Sequence, residues 1–243
     1  MTMEPRLDII GAALADPSRS RILCEMMDGR AFTNKELACA AEISAQTASV
    51  HLKHLQAAGL TSSIRSGRCV YHRIASEDVA GVLEALAGLS PTDHLNRAKS
   101  RKMPEANIMR ARSCYNHIAG RLGVLITNHL IALGVIRLRG EAIEIDAAGE
   151  AFFNKFGINI ASLHEPSKPL VKLCLDWTER KHHLSGPLAT ALMNKALQMK
   201  WIERRSGSRA LVVTEVGYEV FERDFGIPCS LIDSTDDPYE FGL

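Results

Sequence analysis

Between Ser44 and Ile74 the apolar residues change period, and no other feature limits the fold of this chain so strongly. Over 44–58, Ala48, Leu52 and Leu55 recur at i, i+4 and i+7, with Ser44 as an N-cap and Gly59 as a stop, which predicts a helix with one buried face. From Leu60 onward the pattern alternates: Ile64, a tip at Arg65-Ser66-Gly67-Arg68, then Val70, His72 and Ile74 interleaved with Cys69, Tyr71 and Arg73. That is a β-hairpin. Upstream, Leu7, Ile10 and Leu14 share a stripe, Asp16-Pro17-Ser18 opens a second helix to about Met27, and Thr33 with Glu36 has the capping-box spacing for a helix Asn34 to Ala41. Downstream, Val79, Val82, Leu83 and Leu86 place a helix over Ser76 to Leu89. The predicted order is four helices, a hairpin and a helix.

The length of 243 residues, 46% hydrophobic and 23% charged, leaves room for two domains. The apolar runs Leu122 to Ile126 and Leu130 to Ile136 are too short to span a bilayer, and Glu4, Arg6 and Asp8 stand where a signal peptide would be apolar, so a cytoplasmic protein without a membrane partner is expected. A net charge of +1 gives no whole-molecule attraction to nucleic acid. A local patch does: between Leu52 and Arg73 lie Lys53, Arg65, Arg68 and Arg73 and no acid, with Lys35 just upstream. The six cysteines (24, 39, 69, 114, 174, 229) lack the density of a secreted disulfide scaffold.

A helix that enters a DNA groove buries one stripe and presents short polar groups on the other. With Ala48, Leu52 and Leu55 inward, the candidate contacts are Ser44, Gln46, Thr47, Ser49, Val50, His51, Lys53 and His54, joined by Arg65, Arg68 and Tyr71 from the hairpin. Gln46 suits adenine, Lys53 guanine or phosphate, and Val50 a thymine methyl. The run Ile43 to Leu60, the segment Arg65 to Ile74 and the stretch Ala12-Leu-Ala-Asp-Pro-Ser-Arg-Ser-Arg-Ile-Leu23 resemble the recognition helix, wing and opening signature of the ArsR-type metal-responsive regulators. The resemblance covers about residues 5–90. It implies a winged helix-turn-helix over 1–89, a homodimer joined through residues 5–14 and 76–89, a palindromic double-stranded operator, and release by a small inducer.

The family's thiol box would fall at Thr33 and Lys35, so it is absent. Cys39 is expected to pack inward, and Cys24 and Cys69 have no second thiol at fixed spacing. The inducer site is therefore sought beyond a polar linker at 90–107, in a regulatory domain at 108–243. There His117-Ile-Ala-Gly-Arg-Leu matches His183-Leu-Ser-Gly-Pro-Leu at an offset of 66, and the match resumes at Asp146-Ala-Ala-Gly149 against Thr214-Glu-Val-Gly217. The two copies, about 114–158 and 174–227, are each expected to read helix, hairpin, helix, giving a mainly α fold with short β-hairpins (α+β). Cys114 and His117 at i, i+3 are read as one face of a helix. If the copies pack about a pseudo-dyad, Cys114, His117, Cys174 and His183 converge on a tetrahedral S2N2 set suited to Zn, Cd, Pb or an As species, with Asp176 or His182 as substitutes.

Other readings stand beside this one. The cysteines can be buried helix residues and the histidines turn caps; the same region can line an organic or haem-like ligand with Trp177 and Tyr115; Cys24 can act as a redox switch; and winged helices can dock proteins. No Gly-x-Ser-x-Gly, Walker loop or Gly-x-Gly-x-x-Gly is present, so an enzyme is not expected.

Overall fold

The computed structural model describes residues 5–89, 105–139, 142–164, 169–205 and 208–234. The chain divides into two compact units, Met1–Leu83 and Glu84–Leu243. Most of the expected linker, 90–104, lies outside the described residues, and its last three positions open a helix.

The first unit holds α1 (Leu7–Leu14), α2 (Pro17–Met26), β1 (Phe32–Thr33), α3 (Asn34–Ala41), α4 (Ala45–Ala57), β2 (Thr61–Ser66) and β3 (Cys69–Ile74), and the division falls within α5 (Glu77–Leu89). α2, α3 and α4 each start where a side chain satisfies free amides. Asp16 accepts from Ser18 N and Arg19 N, Thr33 and Glu36 form the reciprocal capping box, and Ser44 accepts from Thr47 N. Ile22, Met26, Leu37, Ala48, Leu52, Leu55 and Ile74 are buried and supply the core. One strand went unforeseen. Phe32 and Thr33 pair with His72 and Tyr71, making a sheet of order β1-β3-β2, and two residues are too few to show alternation.

One expectation here is corrected. Cys39 is exposed, because α3 buries Leu37, Ala38 and Ala41 and leaves position 39 on the opposite arc. In α5, Val82 and Leu86 are exposed and Val79 and Leu83 half-buried, whereas Ala80, Glu84 and Gly88 are buried.

The second unit continues with α6 (Glu105–Arg110), β4 (Arg112–Cys114), β5 (His117–Ala119), α7 (Gly120–Ala132), β6 (Arg137–Arg139), β7 (Ala142–Glu144), α8 (Ala147–Asn154) and α9 (Ile160–Leu163). Then follow β8 (Lys172–Leu175), β9 (His182–Ser185), α10 (Pro187–Gln198), β10 (Ile202–Arg204), β11 (Leu211–Val213), α11 (Glu215–Phe225) and α12 (Cys229–Asp233). Among the described residues, the order hairpin, helix, hairpin, helix, short helix thus occurs twice. Each copy holds the expected helix, hairpin and helix, and an antiparallel hairpin precedes them. Cys114 and His117 are cross-strand partners around a tight turn in which Tyr115 has φ 55°, not two residues on a helix face. A single continuous core fills this unit. Phe152, Phe153, Phe156, Trp201, Phe221 and Phe225 form its aromatic part, mostly edge to face, with Phe156 and Phe225 stacked at 5.6 Å.

Candidate nucleic-acid interface and metal centre

α4 is held on the first unit by its buried stripe, and the opposite arc is open. Ser44, Gln46, Thr47, Val50, Lys53 and His54 are exposed, Ser49 is half-buried, and Arg65 and Arg68 project from the hairpin tip. Tyr71 is half-buried on β3. His51 differs from its neighbours: its Nδ1 lies 3.4 Å from Arg19 and its Nε2 3.8 Å from Asp16, so the ring faces the scaffold. The open arc carries hydrogen-bonding groups, one cation and one exposed valine, with two guanidinium groups at the end of a two-stranded arm.

In the second unit, one ligand atom from each of Cys114, His117, Cys174 and His183 lies within 4.8 Å of the others. Each hairpin supplies one pair: Cys114 faces His117 across β4-β5, and Cys174 faces His183 across β8-β9. The two imidazole rings are 5.1 Å apart, tilted by 38°. Cys114, His117 and His183 are buried and Cys174 is half-buried. His117 Nδ1 and both nitrogens of His183 are buried without a hydrogen-bond partner. Buried polar atoms are almost always paired; with His183 Nδ1 beside the Asp176 carboxylate, His117 Nδ1 and His183 Nε2 are the nitrogens open to a cation. Two sulfurs and two imidazoles are a donor set that fits zinc or a softer divalent ion in tetrahedral geometry.

The two substitute ligands are corrected. His182 is exposed on the far face of β9, as alternation along a strand requires. Asp176 is fully buried but already engaged. Its Oδ2 accepts from Gly120 N at 2.7 Å and from Arg112 at 2.9 Å, and its Oδ1 accepts from Thr178 N, Thr178 Oγ1 and Glu179 N. It also lies 3.3 Å from His183 Nδ1, too poorly aligned for a hydrogen bond. Asp176 is therefore taken up by its own partners, with its charge beside His183.

Arg112, completely buried, is the partner the sequence did not reveal. Its Nη2 contacts Asp176 and lies 3.5 Å from Glu84, its Nη1 donates to Thr178 Oγ1 at 3.0 Å, and its guanidinium lies 4.7 Å from the centre of the Trp177 ring. Arg112 and Glu84 follow no recognisable spacing, and their burial comes from the tertiary fold alone. With Trp177 taken up by Arg112 and Tyr115 in the tight turn, the two aromatic residues considered for an organic ligand have structural roles.

Two glycines let the elements approach. Gly120 has φ +73°, and a Cβ there would lie 2.7 Å from Met109 O; its amide is the one that binds Asp176. Gly123, one turn into α7, would place a Cβ 2.3 Å from Ile118 O and 3.3 Å from His183 Cβ. Thr127 completes the seam, accepting from Leu184 N at 3.0 Å and donating to Gly123 O.

The electrostatics divide the four ligands. Burial pushes the Cys114 thiol up, and the hydrogen bond from Cys114 pulls Cys174 down to about 6. Burial drives His117 well below its ordinary value. Burial also acts against a charged His183, but Asp176 and Cys174 outweigh it and raise the group to about 9. For Asp176 the desolvation that would raise it is overcome by Arg112, which holds it far below the carboxylate range.

A family profile described as a helix-turn-helix domain matches residues 14–64. An uncharacterized HTH-type transcriptional regulator of Bacillus subtilis (strain 168), YdfF, is 37% identical over 225 residues, covering 93% of this chain and 99% of that protein. The HTH-type transcriptional regulator CmtR of Mycobacterium bovis is 35% identical over 83 residues, 34% of this chain and 70% of that protein. Among solved structures, the cadmium metal-sensor CMTR of Mycobacterium tuberculosis covers 32% of this chain and 81% of its own, at 34% identity and a TM-score of 0.29.

Proposed function

The chain belongs to the helix-turn-helix transcriptional regulators of the ArsR type, and from that premise we propose that it is a homodimeric, metal-responsive repressor. The first unit reads an operator through the open arc of α4, with Arg65 and Arg68 on flanking phosphate or in the minor groove. The second unit senses a soft or borderline cation, zinc or cadmium before lead or arsenic species, through Cys114, His117, Cys174 and His183. The carrying observation is that buried imidazole nitrogens without partners meet two thiols within 4.8 Å. A homodimer is supported by the exposed apolar residues Leu7, Ile9, Val82 and Leu86, on the two segments where the family resemblance expects the joint.

The bound ion would supply charge compensation and a bond network between the two hairpins. A second reading follows from the same observation: four protein donors make a closed set, the mark of a structural ion. One experiment separates them. Purified protein is assayed for metal content, then for operator binding by fluorescence anisotropy with zinc, cadmium, lead or arsenite added, beside Cys114→Ser/Cys174→Ser. A sensor loses operator affinity on metal addition, and the double variant does not respond. A structural ion co-purifies, leaves operator affinity unchanged and, when chelated, unfolds the second unit. Unchanged metal affinity in the double variant overturns both.

A further inference from the structure

We propose that Cys114 and Cys174 are also a thiol–disulfide pair, joined on exposure to a peroxide, so that the cluster responds to oxidants as well as to cations. The inference shares its residues with the metal reading but requires only the two sulfurs. Cys114 stands on β4 and Cys174 on β8, each opposite a histidine, and their Sγ atoms are within 4.8 Å. A covalent sulfur–sulfur bond is about 2.05 Å long, so a small inward movement of the two hairpins joins them. Their burial differs in a useful way. Cys174 is half-buried and reachable by a small oxidant, whereas Cys114, 2% exposed, sits behind it. The other described cysteine of this unit, Cys229, directs its thiol at Glu222 at 3.5 Å instead.

The chemistry proceeds in two balanced steps. The sulfur of Cys174 attacks hydrogen peroxide, the O–O bond breaks, and a sulfenic acid and one water form. The sulfur of Cys114 then attacks the sulfur of Cys174, the S–O bond breaks, and the hydroxyl leaves as a second water with the thiol proton. Two thiols are oxidised and one peroxide is reduced. Both sulfur ligands are spent in the product, so a bound cation must leave.

The test uses the full chain, reduced and loaded with zinc, treated with hydrogen peroxide at increasing dose. Peptide mapping without reductant is expected to find Cys114 linked to Cys174, reversibly, with zinc released in step with the cross-link as read by a chromogenic chelator. In Cys114→Ser, Cys174 is expected to accumulate as a sulfenic acid trapped by dimedone. Cross-links confined to other cysteines, or direct passage of wild-type Cys174 to sulfinic acid, would overturn the proposal, and wild-type mapping decides this even if the variant fails to fold. If the protein holds no zinc yet forms the bond, the metal reading falls and this one stands; zinc bound without a cross-link gives the reverse.

Discussion

At the scale of single residues, the second unit depends on the completely buried Arg112. Arg112 neutralises Asp176 and lies beside Glu84, and removing one member of a buried charge set costs about 3–5 kcal/mol because the remainder stays uncompensated. Arg112→Met should therefore lower stability by about that amount, read from the urea midpoint of the second unit's transition. Asp176→Asn should leave the four ligands in place yet weaken zinc binding by about 10–100-fold, as measured by competition with a chromogenic chelator. Gly123→Ala sets two effects against each other. Alanine favours a helix interior by about 1 kcal/mol, but a Cβ 2.3 Å from Ile118 O forces α7 off the first hairpin, so the overlap wins. The variant is expected to lose both stability and zinc affinity, and an unchanged melting temperature would show that the seam yields.

At the scale of elements, the first unit is largely legible because α2, α3 and α4 each announce themselves with a cap. Asp16, Thr33 with Glu36, and Ser44 all serve as their spacing predicts. The hairpin Thr61–Ser66 and Cys69–Ile74 follows the alternation read from the residues. The opening of the second unit was misread for a specific reason. Residues i and i+3 adjoin on a helix, but they also face each other across a two-residue turn, and Cys114 and His117 satisfy both geometries. The offset of 66 brought the two histidines into correspondence, whereas the backing by Arg112 and Glu84 left no trace, since burial of a charge is a property of the assembled fold. The hairpin also carries a prediction of its own. Replacing Arg65 and Arg68 with Ala should weaken operator binding and lower the dependence of log affinity on log salt by about one per lost phosphate contact, whereas a wing that docks protein would show no such slope.

At the scale of the whole molecule, the proposed ion would be linked to the fold of the second unit by mass action. An ion that binds only the folded state adds about 2.7 kcal/mol at a hundred times its dissociation constant. Chelation should lower the melting temperature of the wild type and leave that of Cys114→Ser/Cys174→Ser unmoved. The proposed dimer gives a separate expectation. Val82→Glu with Leu86→Glu should yield a monomer by light scattering, with operator affinity falling together with the assembly, and a variant that stays dimeric would place the joint elsewhere.

The chain contains two tryptophans, and they report on different things. Trp201 is sealed in the aromatic core, while the ring of Trp177 rests on the guanidinium that backs the cluster. Intrinsic emission is thus a built-in optical gauge: whatever displaces that guanidinium alters the Trp177 signal against a steady Trp201 background, and Trp177→Phe should make the protein optically blind to cadmium or zinc without abolishing their uptake.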